Sequence, residues 1–297
     1  MATLSIDIGG TRIKTGIVEQ ELVTEKKDFP TPQSLAEFSE LLKHIVTTYR
    51  KSQTFTQIAF SVPGSVNEAN TVFFGGAVPY LNEVNLGELI SQQLKEPFVV
   101  TAENDAKVAT LGELTLGNLQ QVTNGAAIIL GTGVGVGLCL NGQLYKGCHY
   151  QAGEVSFMIR DRSIVGADSF VGVGLSAVAL IEKLAACLQV ENEGRTVFEA
   201  LDKQENQEAS TLFLNYCQEV AVLCFNIQCL LDLEKLVIGG GISQQPRLIA
   251  TIQQCYEGLF QAAPIIQQTL QPMTIEAAKF QADANLIGAV KECLYDN

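Results

Sequence analysis

A chain of 297 residues is past the size at which one hydrophobic core usually stops growing, so two lobes are expected. Apolar residues make up 47% and charged residues 17%, the balance of a globular chain and not of a disordered one. A net charge of -13 argues against nucleic acid or an anionic membrane as partner and leaves room only for a local basic patch.

The chain opens on Ser5-Ile6-Asp7-Ile8-Gly9-Gly10-Thr11-Arg12-Ile13-Lys14-Thr15-Gly16-Ile17-Val18, an apolar strand, a glycine turn and a second strand. Ile13, Thr15 and Ile17 alternate with Arg12, Lys14 and Gly16 in a strand's period of two, so the turn closes a hairpin. The GxxxxGK(S/T) phosphate loop and the dinucleotide fingerprint both run from a strand into a helix, and both fail here. Gly9 and Gly10 let a phosphate approach their amides. Asp7 would repel that phosphate unless a cation such as Mg²⁺, bridged by water, stood between them. For this hairpin alone, a structural turn and a ligand site are equally good readings.

Leu22 to Phe29 supplies a third strand that ends at Pro30-Thr31-Pro32, and the spacing of Leu35, Phe38, Leu41, Leu42, Ile45 and Val46 predicts a helix over 33–51. His44 on that helix takes no role. Ile58 to Val62 is a short buried strand closing on Pro63-Gly64-Ser65, at the carboxyl end where open α/β sheets place ligands. Residues 66–97 are less regular, with Gly75-Gly76 and Tyr80 in loop-like sequence before a short helix over 86–94. Phe98 to Thr101 makes a strand, Glu103-Asn104-Asp105-Ala106 follows, and 107–116 reads as a helix. Asp105 at that helix start is either a cap or a carboxylate kept ionised as a proton acceptor. Asn104 beside it serves a ligand hydroxyl or a turn.

The second half repeats the opening: Ala126 to Leu140 contains Gly131-Thr132-Gly133-Val134-Gly135 between an apolar strand and an alternating one. Two glycine hairpins at corresponding places point to two similar domains that hold a polyphosphate. The chain then passes through Gly147-Cys148-His149-Tyr150-Gln151-Ala152-Gly153-Glu154. Helical patterns over 175–190 and 208–231 follow, and then Leu236-Val237-Ile238 delivers Gly239-Gly240-Gly241. A helix over 246–260, a strand over 273–277 and a last helix over 283–294 complete an α/β order. The eight cysteines form no CxxC pair, as suits free thiols in a reduced cytoplasm. No signal pattern or membrane span is expected, because the most apolar stretch, Val220 to Leu233, is short and interrupted by Asn226 and Gln228.

Together these motifs, with the closing Asp283-Ala284-Asn285-Leu286-Ile287-Gly288-Ala289, resemble the ROK family, the repressor, open-reading-frame and kinase group of the actin-like ATPase superfamily. The resemblance covers essentially the whole chain. It implies a two-lobed, ribonuclease H-like α/β fold with the active site in the cleft between lobes. The smaller lobe would be 1–105, with 283–297 packing back on it, and the larger 106–282. It implies ATP and Mg²⁺ as cofactors, a sugar as substrate and a homodimer. By the same resemblance Asp105 matches the catalytic base, Asn104 and Glu154 hold sugar hydroxyls, and Gly64 lies beside the sugar. Asp7, Gly9, Gly10 and Thr11 match the first phosphate loop, with Asp7 holding Mg²⁺ through water. Gly131, Thr132, Gly133, Val134 and Gly135 match the second loop, and Gly239, Gly240 and Gly241 the turn near adenosine. Lys14 either neutralises phosphate or is a solvated strand lysine.

Repressor members of the family carry a DNA-binding segment before the first hairpin, which is not expected here. Zinc-containing members carry a His after Ala-Gly-Glu and then a cysteine loop. Here Phe157 follows Ser156, and 158–172 hold no cysteine, so no zinc site is expected. Phe157 and Tyr80 would offer aromatic faces to a sugar ring. The resemblance to zinc-free members implies phosphorylation of a β-glucoside such as cellobiose at its 6-hydroxyl. Alternatives are a free hexose, glucose or N-acetylmannosamine, or a sugar-binding regulatory protein without turnover.

Overall fold

The computed structural model describes residues 2–295 apart from Glu21, Gln204, Gln281 and Ala282, with side chains described up to residue 291. The chain forms two compact units, one of Met1–Thr115, Leu144–Ala152 and Asp283–Asn297, the other of Leu116–Gln143 and Gly153–Ala282.

In the first unit β1 (Thr3–Ile8), β2 (Arg12–Glu19) and β3 (Leu22–Pro30) form an antiparallel meander. Helix α1 (Leu35–Tyr49) starts at Ser34, whose side chain accepts from the Glu37 amide, and buries Phe38, Leu42, Ile45, Val46 and Tyr49. β4 (Gln57–Val62) returns parallel to β1 and reads as an unbroken buried run, as a strand covered on both faces must. Three short strands follow, β5 (Ser65–Val66), β6 (Thr71–Phe73) and β7 (Val84–Asn85), paired in a small antiparallel sheet within the stretch read as irregular. At two or three residues each, they are too short to show alternation. Helix α2 (Leu86–Leu94), capped by Asn85, leads to β8 (Val99–Asn104), parallel to β4, and to α3 (Asp105–Leu116). The main sheet runs β3-β2-β1-β4-β8.

The second unit repeats this plan. β9 (Gly125–Leu130) and β10 (Val134–Leu140) form the second hairpin, with β11 (Gln143–Tyr145), whose last two residues already belong to the 144–152 segment of the first unit, at the edge. One helical turn, α4 (Val171–Gly174), precedes α5 (Ala177–Leu188), α6 (Gly194–Lys203) and α7 (Gln207–Leu231). β12 (Lys235–Gly239) lies parallel to β9, and α8 (Pro246–Gln261), α9 (Pro264–Thr269) and β13 (Thr274–Ala277) follow. The sheet order is β11-β10-β9-β12-β13. Val171–Leu188 is apolar and long enough to cross a membrane. It is broken at Leu175 and Ser176, however, and Leu180, Leu184 and Leu188 sit in this unit's core.

The last helix, α10 (Ala284–Tyr295), packs on β1, β4 and β8 in the first unit. It also crosses α3 at glycine: a Cβ on Gly288 would lie 1.9 Å from the Val108 carbonyl oxygen, and one on Gly112 would lie 3.4 Å from that of Ala284. The first unit therefore extends past the expected edge at 105 and takes in α3 nearly whole, together with 144–152.

Candidate active site

Asp7 is the penultimate residue of β1, and its side chain meets two donors. Ser61 Oγ, from β4, donates to Asp7 Oδ1 at 2.8 Å, and Asn285 Nδ2, from α10, donates to the same oxygen at 2.9 Å. Burial pushes the Asp7 carboxyl above its ordinary range, while those two bonds and the charge of Lys14 pull it back. Lys14 stands directly opposite Asp7 in the β1-β2 register, exposed, so it shares that face of the ribbon.

The turn that follows is pinned from below. Thr31 donates its amide to the Thr11 carbonyl at 3.0 Å and its hydroxyl to the Gly9 carbonyl at 2.6 Å. Gly10 cannot carry a side chain, because a Cβ would lie 2.6 Å from Ala77 Cβ. Gly10 and Thr11 stay exposed. A desolvated carboxylate beside exposed glycine-turn amides fits a divalent cation bridged to phosphate.

At the carboxyl end of β8, Asn104 organises the start of α3. Its Oδ1 accepts from the amides of Ala106 and Lys107 at 3.1 and 3.2 Å, which is the work of an N-cap. Its Nδ2 donates to the Gly64 carbonyl at 2.8 Å and to Asp105 Oδ1 at 3.1 Å. Both ends of the amide are thereby occupied, so the side chain read as a sugar ligand here couples Gly64 to Asp105. Asp105 is half-buried, and its Oδ1 also accepts from the Ala106 amide at 2.8 Å.

Behind this point lie charges that sequence reasoning passed over. Glu103 and Lys107 are each 1% exposed. Lys107 Nζ donates to the Tyr150 carbonyl at 2.6 Å, and Glu103 Oε1 accepts from the Asn104 amide at 2.7 Å. Lys146 Nζ stands 3.1 Å from Glu103 Oε2, an ion pair without hydrogen-bond alignment. Tyr80, read as an aromatic platform, is half-buried and packs its ring against Phe38 at 6.0 Å at the margin of the first unit's core, with its hydroxyl enclosed.

In the second unit the turn Gly131-Thr132-Gly133 is held by a bond from the Gly131 amide to the Gly133 carbonyl at 3.0 Å. The start of α5 anchors it, the Ala177 amide donating to the Gly131 carbonyl at 2.9 Å. Around Gly131 there is open space. Val134 and Gly135 lead into β10, and Ser156 clasps Val134, donating to its carbonyl at 2.7 Å and accepting from its amide at 3.3 Å. Gly240 is glycine for structural reasons, whereas a side chain at Gly239 would have to move only the end of an isoleucine. A Cβ on Gly239 would lie 2.7 Å from Ile129 Cδ1, and one on Gly240, at φ +93°, would lie 2.0 Å from the Leu130 carbonyl oxygen. Gly241 has no such neighbour.

Gly153, at φ +88°, lets the chain press on the Val136 carbonyl and delivers the exposed Glu154. Phe157 is 67% exposed and packs edge-on against Phe170 at 6.1 Å. Among the described residues, no three His, Cys, Asp or Glu side chains gather to hold a metal.

Two hairpins on like sheets, each followed by parallel strands, define the actin-like ATPase fold of the ROK sugar kinases. The ROK family pattern matches residues 3–292, and the chain belongs to the ROK family. It is 27% identical over 304 residues to a β-glucoside kinase of Listeria monocytogenes, covering 100% of this chain and 98% of that one. It is also 27% identical over 314 residues to an N-acetylmannosamine kinase of Haemophilus influenzae, covering 100% and 97%. A ROK family protein of Streptococcus pneumoniae, solved in complex with sucrose, superposes with a TM-score of 0.82 at 27% identity, covering 100% and 99%.

Proposed function

We propose that the chain is an ATP-dependent sugar kinase that phosphorylates a 6-hydroxyl, with a β-glucoside such as cellobiose as the favoured acceptor. The observation that carries the reading is Asp105, set at the start of α3 and tied through Asn104 to the Gly64 turn. In this reading Asp105 orients the acceptor hydroxyl and takes its proton as the new bond forms, while Asn104 keeps Asp105 and Gly64 in register. Glu154 holds sugar hydroxyls. The amides of Gly9 to Thr11 and of Gly131 to Gly135 receive phosphate oxygens, Lys14 adds positive charge, and Gly239 to Gly241 border adenosine. Asp7 would hold Mg²⁺ through water, and that ion supplies charge neutralisation at the transferring phosphoryl group. A homodimer belongs to the same proposal and is read by light scattering.

The β-glucoside reading is supported by the exposed Phe157 ring, an apolar face for a sugar, and by the L. monocytogenes relative. The equally similar N-acetylmannosamine kinase favours a second reading, a free hexose. Coupled ADP release with cellobiose, methyl β-glucoside, glucose and N-acetylmannosamine decides between them. Higher kcat/KM on the glycosides is expected; a strong preference for either free sugar overturns the glycoside, and sugar binding without ADP release overturns the enzyme in favour of a regulatory sugar-binding protein.

A further inference from the structure

The Gly64 turn is packed backbone to backbone against the end of β6. Gly64 has φ +91°, and a Cβ there would lie 2.4 Å from the Phe73 carbonyl oxygen and 2.6 Å from that of Phe74. Phe74 is held on its other side as well, its amide donating to Asn82 Oδ1 at 2.9 Å. Between these two anchors its backbone sits at φ +53°, a region that bulky residues rarely enter, and its side chain is 71% exposed. Strained conformations persist where surrounding structure over-determines them, and they gather at ligand sites. A glycine would meet the same backbone demand without strain, so nothing in the folding of this turn calls for an aromatic side chain.

We propose that Phe74 is a specificity-determining residue, whose ring receives an apolar or ring-shaped substituent of the sugar acceptor. The proposal rests on the reading of Asp105 and Gly64 as the acceptor end of a sugar-kinase site. Phe74 belongs to that end by direct linkage: its carbonyl presses on Gly64, the Gly64 carbonyl accepts from Asn104, and Asn104 donates to Asp105. A ring whose backbone is fixed on both sides loses little freedom when it stacks, so its contact energy reaches the ligand with little loss. Aromatic rings and the C–H faces of sugars both offer flat apolar surface to such a ring. The acceptor class is therefore a glycoside bearing an aryl group or a second sugar, in preference to a sugar with a small substituent.

Calorimetric titration of phenyl β-glucoside and methyl β-glucoside into the parent, Phe74→Gly and Phe74→Trp tests this without turnover. The parent is expected to bind the phenyl glucoside about tenfold more tightly than the methyl one. Phe74→Gly should cut that preference to about twofold or less with no loss of melting temperature, because glycine adopts positive φ freely. Phe74→Trp should keep the preference. A preference retained in Phe74→Gly, or equal weakening of both ligands, overturns the assignment. Parent protein that binds both glucosides alike overturns this inference alone, and parent protein that binds neither overturns the acceptor reading with it.

Discussion

Asp105→Asn keeps an oxygen that can accept from the Ala106 amide, so the helix start should survive the change. What is lost is basicity. Sugar and ATP binding are expected to hold while kcat falls by about a hundredfold or more, the usual share of a general base. Near-parental kcat would leave Asp105 a purely structural side chain. Asp7→Asn should act in the opposite sense on stability. Burial raises the Asp7 pKa above its ordinary value of 3.8, so the folded protein keeps this proton to a higher pH than the unfolded chain. The stability attributable to Asp7 therefore falls as pH rises above that value and through the folded pKa. The melting temperature of Asp7→Asn should exceed the parent's by about 2 °C or more at neutral pH, with the gap closing as the medium is acidified. Mg²⁺-dependent turnover should drop by about 10–100-fold. Scanning calorimetry from pH 4 upward and a Mg²⁺ titration of rate read both. Asp7 and Asp105 were legible as strand-end and helix-start carboxylates. The partners of Asp7 were not, because Ser61 and Asn285 lie 54 and 278 residues from it and no local pattern joins them.

Helix α10 meets α3 at Gly288, an approach that only a residue without a Cβ permits. Gly288→Ala drives a methyl group onto the Val108 carbonyl. Overpacking of this kind costs about 1–3 kcal/mol, more than the gain in helix propensity of about 1 kcal/mol returns at its upper end. A melting temperature lower by several degrees is expected in a thermal scan, and an unchanged value would mean that α10 can shift freely on α3. The long elements were readable because periodicity accumulates along them: α1, α7 and α8 match their predicted spans to within two residues. α6 and α9 offer ten and six residues, and α9 buries none of its side chains. The β5-β6-β7 sheet gains its order from backbone pairing, as in Ser65 to Phe73 and Thr71 to Asn85, which residue type does not encode.

Across the molecule the repeated glycine hairpin announced the repeated sheet. Both sheets place the hairpin strands beside two parallel ones, β1-β4-β8 in one unit and β9-β12-β13 in the other. The thiols illustrate the same division between surface and core. Cys139, Cys217 and Cys224 are buried, and burial pushes the Cys224 thiol up to about 12 and raises Cys217 and Cys139 as well. Cys148 and Cys229 are exposed. A maleimide at neutral pH should label Cys148 and Cys229 at least about tenfold faster than the buried three, which should react only on unfolding. Peptide mapping checks this, and early labelling of Cys224 would show that the second core opens easily.

The bond from Asn285 to Asp7 has a temporal side. As a ribosome extends the chain at about 10 residues per second, the carboxylate of β1 emerges on the order of half a minute before the amide that holds it. The Ser5 hydroxyl waits equally long for the Leu286 carbonyl, 281 residues away. Throughout synthesis the glycine hairpin thus stands without these two partners, and a nascent polypeptide released early carries the hairpin without the contacts that complete it.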